Sequence, residues 1–419
     1  MAVTQRRAPP LWRILGSDMD WQTPEDTVPS AFITEANTRS VLGAPPATGA
    51  WRDGDAPGDR KFLSIGKFSL EQGGVLPSVR LAYETWGTLS ASGDNAVLVL
   101  HALTGDSHVV GPPKAGHPTA GWWGSMIGPG KPIDTDRYFV VAPNMLGGSQ
   151  GSTGPASHAP DGREWAARFP FVTIRDQVAA QVALSDKLGI DRWQAVIGGS
   201  MGGMQSLEWA VGHPDRLERF AAFAAPAIAS ADELARNSVQ LEAIRMDPGF
   251  ADGDYYEAAD GEGPHRGLAL ARRLALLNYR SPDELSDRFA RSWQSGLSPL
   301  GGGGRFAVES YLDFHGNKFT RRFDANSYIT LVESMNSHDV GRDRGGLVAA
   351  LGRVTATGLV VGIDSDRLFP VSDQHFIARN LKNSVSGGEA VVISSAFGHD
   401  GFLIEDTLVG AHVRGLLER

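Results

Sequence analysis

The chain predicts an α/β fold in which a mostly parallel sheet is interrupted by a long helical insertion. Three observations lead there. Short apolar runs alternate with segments of helical spacing through most of the chain, the pattern of strands joined by crossover helices. From about residue 229 to 346 the strand-like runs stop and helical spacing dominates, after which the alternation resumes. Between them, Trp193 to Gln205 runs from an apolar strand-like stretch through Gly198-Gly199-Ser200-Met201-Gly202-Gly203 into helix-like sequence.

Taken in order, residues 1–58 are rich in Ala, Pro, Asp and Thr without a sustained period. They read as an extension, disordered in part or draped over the body. Phe62 to Phe68 and Val79 to Glu84 flank Gln72-Gly73-Gly74 and read as an antiparallel hairpin. Ala96-Val97-Leu98-Val99-Leu100 is a continuous apolar run suited to a strand buried on both faces. The stretch from Ala102 to Arg137 is rich in Gly, Pro, His and Trp, and a loop of that length inside a compact domain is usually functional. Tyr138 to Pro143 is a strand, Thr173 to Leu188 a helix, and Phe220 to Ala225 another strand.

Helical spacing then covers Leu234 to Met246, Gly267 to Leu277, Pro282 to Trp293, Phe306 to Phe314 and Ala325 to Met335. Leu359 to Ile363 restores the strand pattern, followed by a helix over Ser372 to Leu381, a strand over Ala390 to Ile393 and a closing helix over Phe402 to Leu417. The chain thus divides into the extension 1–58, an α/β core of 59–228 and 347–419, and a helical lid of 229–346.

Composition bounds the function. A net charge of −9 argues against nucleic acid or an anionic membrane as a partner. No apolar run approaches the roughly 18 residues of a membrane-spanning helix, and Met1 to Pro10 lacks the apolar core of a secretory signal. The chain has no cysteine, which excludes disulfides, thiolate metal sites and a cysteine nucleophile and fits a cytoplasmic location. No pair of His residues has helical ligand spacing, so no metal site is expected.

Gly198-x-Ser200-x-Gly202 between a strand and a helix is a nucleophile elbow, the strained turn that presents a serine at the top of an α/β-hydrolase sheet. A serine hydroxyl attacks only when a base takes its proton and a third group orients that base. In this fold the order is serine, acid, histidine. His399 follows the last strand, and Asp364 and Asp366 follow the strand before it. The loop after the Ala96–Leu100 run should supply one oxyanion N–H, from Leu103, with the second from Met201.

The chain further resembles the homoserine O-acetyltransferases, α/β-hydrolase-fold acyltransferases of methionine biosynthesis, from about residue 60 to the C-terminus. The resemblance rests on Leu100-His101-Ala102-Leu103-Thr104-Gly105-Asp106-Ser107-His108, Asn144-Met145-Leu146-Gly147-Gly148, Gly151-Ser152-Thr153-Gly154-Pro155 and the elbow. Asn336-Ser337-His338-Asp339, Ser365-Asp366-Arg367-Leu368-Phe369-Pro370 and Gly398-His399-Asp400-Gly401-Phe402-Leu403 complete it. It implies Ser200 as nucleophile, Asp366 rather than Asp364 as the acid, and His399 as the base. It also implies Arg272 and Asp400 as the residues that hold the charged ends of the acceptor. Homoserine carries a carboxylate and an ammonium, which call for a guanidinium and a carboxylate.

The implied reaction is transfer of acetyl from acetyl-CoA, a co-substrate rather than a tightly bound cofactor, to L-homoserine through an acyl-serine. Two alternatives are a succinyl-CoA- or serine-using transferase of the same fold and an esterase of that fold. The family further implies a homodimer through lid helices.

Overall fold

The structure, a computed structural model, describes residues 43–419. Most of the expected N-terminal extension, 1–42, lies outside the described residues. Its remainder, 43–58, contains no helix or strand and lies along the body. There the Gly49 N–H donates to the Phe323 carbonyl (3.1 Å), and the Trp51 N–H to that of Ser149 (2.9 Å).

Ten strands occur among the described residues: β1 (Lys61–Ser69), β2 (Val75–Trp86), β3 (Ala96–Leu100), β4 (Ile127–Gly128), β5 (Ile133–Asp134), β6 (Phe139–Pro143), β7 (Ala195–Gly199), β8 (Arg219–Phe223), β9 (Thr357–Ile363) and β10 (Val391–Ile393). Eight form one sheet in the order β1-β2-β6-β3-β7-β8-β9-β10. The first two pair antiparallel, as does β2 with β6, and every later pair is parallel. The short strands β4 and β5 form a separate parallel pair inside the long loop. A mostly parallel sheet with an antiparallel start is the expected fold class.

Parallel sheets are covered on both faces, so their strands need apolar side chains in both directions. In β3, Leu98 and Leu100 join one core while Val97 and Val99 join the other. The same division separates Val196 from Ile197 and Val360 from Val361. At roughly 1.5–3 kcal/mol for each fully buried Val or Leu, these strands anchor the sheet between its two layers.

The α-helices among the described residues are α1 (Ile174–Leu188), α2 (Met201–Gly212), α3 (Ala231–Arg245), α4 (His265–Tyr279), α5 (Pro282–Phe289), α6 (Ala307–Phe319), α7 (Ala325–Asn336), α8 (Leu347–Leu351), α9 (Val371–Asn380), α10 (Gly401–Ile404) and α11 (Asp406–Leu417). The first begins at a capping box, in which Thr173 and Asp176 each accept the other's backbone N–H, and ends at Gly189 in the left-handed conformation. Six of them, α3 to α8, occupy the long segment between β8 and β9, where α4 packs on both α3 and α6.

Two expected helices differ. The one expected to reach Trp293 stops at Phe289, because Ala290 turns to φ 44°. The closing helix is broken at Glu405, whose ψ of 51° redirects the chain. The break lets α10 stay beside the sheet's end while Val409, Val413 and Leu416 of α11 pack into the second core. No helix among the described residues is long and apolar enough to cross a membrane.

Candidate active site

The site is built where β3, β7, β9 and β10 end. Ser200 sits between β7 and α2 at φ 57°, ψ −124°, a conformation costing on the order of 1–3 kcal/mol that the surroundings must hold in place. They do so by contact too close for side chains. A Cβ on Gly198 would lie 2.3 Å from the Gly202 carbonyl oxygen, and one on Gly202 would lie 2.2 Å from that of Leu100. The first turn of α2 is thereby seated against the end of β3, where the Leu103 loop begins. Met201 is the first residue of α2, so its N–H has no partner within the helix and carries the positive end of the helix dipole. Ser200, Met201 and Leu103 are all buried.

Asp366 follows β9 and His399 lies in a short turn after β10. The structure brings them together: His399 Nδ1 donates to Asp366 Oδ2 at 2.7 Å. The other carboxylate oxygen accepts the Leu368 and Phe369 N–H groups (2.8 and 3.0 Å), which fixes its orientation. Both side chains are almost wholly buried. Burial works against the imidazolium, but the charge and hydrogen bond of Asp366, with Asp400 adding, outweigh it, so the His399 pKa is raised. Rings of Phe369 (5.2 Å), Tyr279 (5.5 Å) and Phe402 (5.6 Å) surround the imidazole. Its Nε2 is buried and makes no hydrogen bond, leaving it able to take a proton.

Asp364 has another task. It accepts the Ser394 hydroxyl (2.7 Å) and the Ser395 N–H (3.0 Å), tying the end of β9 to the end of β10. The neighbouring Ser365 hydroxyl donates to the Ser395 carbonyl and accepts the Gly398 N–H (3.0 Å). This pair therefore holds the turn that carries His399.

Arg272, on α4, reaches Thr104 Oγ1 at 3.4 Å, beside Leu103, and its guanidinium lies over the rings of Phe319 (5.1 Å) and Tyr279 (5.6 Å). Asp400 adjoins His399 and is paired with Arg280, whose Nε lies 3.3 Å from Asp400 Oδ2. Sequence reasoning missed Tyr279 and Arg280. Tyr279 stands seven residues after Arg272, two helical turns, so spacing alone puts the two on one face. Its phenol is pushed up to about 12, by burial first and then by Asp400 and Glu233 against Arg272. Glu233, in the first turn of α3, was also missed. Its carboxyl is buried and pushed up to about 8, by burial first, against the Ser230 backbone N–H and with Asp373 adding.

A strained serine at a strand–helix turn, a buried carboxylate–imidazole pair and a helix N-terminus at the top of a mostly parallel sheet define a protein of the α/β-hydrolase fold. The family model of that fold matches residues 95–406. The chain belongs to the homoserine O-acetyltransferase family. It is 69% identical over 386 residues to the "Homoserine O-acetyltransferase" of Clavibacter michiganensis subsp. michiganensis, covering 92% of this chain and 99% of that one. Among solved structures it is similar to homoserine O-acetyltransferase from Bacillus anthracis, with a TM-score of 0.78, 28% identity and coverage of 86% and 97%. It is also similar to esterase E22, with a TM-score of 0.77, 27% identity and coverage of 85% and 99%. Fold alone thus spans transferases and esterases, and it is sequence identity that separates them. The chain is an acyltransferase by family.

Proposed function

We propose that this chain transfers an acetyl group from acetyl-CoA to the hydroxyl of L-homoserine by a ping-pong mechanism, as a step of methionine biosynthesis. The observation that carries the chemistry is the buried 2.7 Å contact between Asp366 and His399, together with the strained Ser200 at the end of β7 in the same sheet. High identity to chains named for this reaction carries the choice of substrates. Ser200 Oγ attacks the thioester carbonyl while His399 Nε2 takes its proton, and Asp366 stabilises the imidazolium that forms. The N–H groups of Leu103 and Met201 hold the developing oxyanion. Collapse expels the CoA sulfur, which takes the proton from His399 and leaves acetyl-Ser200. The homoserine hydroxyl then gives its proton to His399 and attacks the ester, and the proton returns to Ser200 as the product leaves.

Arg272 binds the acceptor carboxylate and Asp400, shared with Arg280, its ammonium. The helices of residues 229–346 act as a lid that keeps water from the ester. They also present a shallow groove lined by Val239, Ala243, Met246, Leu270 and Leu274, which supports a homodimer through α3 and α4. An esterase is the second reading, favoured by the likeness to esterase E22.

The test is one assay of the purified protein with acetyl-CoA or succinyl-CoA and with homoserine, serine or no acceptor. O-acetylhomoserine should dominate. Continuous CoA release without acceptor, unchanged by homoserine, would establish the esterase instead.

A further inference from the structure

Glu84 lies near the end of β2, paired with Ala142 across the sheet, and is buried. A buried carboxylate is costly unless its oxygens are satisfied. Both are satisfied by one segment. Ser107 Oγ donates to Oε1 (2.8 Å) and His108 Nδ1 donates to Oε2 (3.0 Å). Those two residues lie four and five positions after Leu103.

The rest of the segment is held equally closely. Asn144, just after β6, accepts the Ser107 N–H (2.8 Å) and donates to its hydroxyl (3.1 Å). Asp106 accepts the His108 N–H (2.8 Å), its carbonyl takes the Trp122 indole N–H (2.9 Å), and Arg322 binds both its carboxylate and the Thr104 carbonyl. With the Gly105 N–H donating to the Ala102 carbonyl (2.9 Å), every residue from Thr104 to His108 is tied down, and the Glu84 carboxyl group lies buried beneath Ser107 and His108.

With Asp59 and His117, this carboxylate and His108 also form a group whose ligand atoms lie within 4.8 Å of one another. The geometry argues against a shared cation. The two imidazoles stack face to face at 3.8 Å and 12°, so their in-plane lone pairs run side by side rather than to one point. His117 Nε2 already accepts the Asp59 N–H (2.8 Å), His108 Nδ1 is committed to Glu84, and the Asp59 carboxylate is paired with Lys114. The stack is a wedge that keeps His108 against Glu84.

We infer that Glu84 is a positioning residue for the oxyanion-binding loop, acting through Ser107 and His108 to fix the direction of the Leu103 N–H. This rests on the role proposed above for Leu103. Oxyanion donors act because they are in place before charge develops, and losing one costs on the order of 10²–10³ in rate. Loosening one should cost part of that.

The test compares wild type with Glu84→Gln and Ser107→Ala, each measured by stopped-flow CoA release from acetyl-CoA without acceptor, KM for homoserine, and inhibition by methylboronic acid, whose tetrahedral adduct on Ser200 uses the oxyanion donors. Glu84→Gln should slow acylation ~10–100-fold and Ser107→Ala ~3–10-fold. Methylboronic acid affinity should fall by a similar factor, with KM for homoserine within about twofold. A folded Glu84→Gln protein with wild-type acylation and boronate affinity, or one changed in KM alone, overturns the inference. If Glu84→Gln does not fold, Ser107→Ala decides on the same criteria. A wild-type enzyme that never acylates Ser200 would refute the proposed mechanism, an outcome seen before any variant is compared.

Discussion

Glu233 gives the prediction whose size follows most directly from the structure. Its carboxyl is buried in α3, and burial, opposed by the Ser230 backbone N–H and aided by the nearby Asp373, pushes it from the usual 4.5 up to about 8. Between those values the folded protein holds a proton that the unfolded chain has released. The contribution of Glu233 to stability is therefore greatest below pH 4.5, falls as pH rises toward 8, and levels off above it. At about 1.4 kcal/mol per pH unit, the loss between pH 4 and pH 7 is about 3 kcal/mol. Glu233→Gln removes the titrating proton and keeps the shape. A fixed offset from the new amide cancels when the variant is compared with wild type at each pH. Urea unfolding at a series of pH values is the assay, and the stability of the variant relative to wild type should rise by about 3 kcal/mol from pH 4 to pH 7. A difference that stays flat would mean that Glu233 is ionised in the folded protein, and that a partner compensates its charge.

Other perturbations test the site. Asp366→Asn should cut kcat by on the order of 10⁴, by analogy with other triads, while Asp364→Asn should act through the loop it staples, lowering thermal stability with far less effect on kcat. Steady-state rates and melting curves on both variants separate the two. Arg272→Ala should leave CoA release without acceptor largely intact and lower kcat/KM for homoserine by roughly one to two powers of ten, the loss of a charge-assisted contact. Equal loss in both steps would make Arg272 structural. For the proposed homodimer, Met246→Lys in the exposed groove of α3 and α4 should shift the particle mass toward a monomer in light scattering without unfolding the chain, and a wild-type protein that is already monomeric would refute that interface.

Much of this architecture was legible in the sequence because the cause was local. Val97, Leu98, Val99 and Leu100 can only be a strand buried on both faces, and the glycines around Ser200 leave room only for a tight turn. The choice between Asp364 and Asp366 was not local. Both follow β9, and what parts them is that Asp364 faces Ser394 and Ser395 while Asp366 faces His399. Their partners lie some thirty residues on, and family resemblance, not spacing, pointed to Asp366. Glu84 read as an ordinary polar strand residue, because its burial is decided by the way Ser107 and His108 fold over β2. Arg280 was invisible for the same reason: its partner Asp400 belongs to a different part of the chain. The break at Glu405 escaped because the apolar period continues through it.

The central claim is that Ser200 carries the acetyl group between two substrates. Mass spectrometry of the protein incubated with acetyl-CoA alone should find one added acetyl group, on the peptide that contains Ser200. That label should be discharged as O-acetylhomoserine when homoserine is added, and it should be absent from Ser200→Ala. An acetyl group on another residue, or transfer that proceeds at the full rate in Ser200→Ala, would contradict the account.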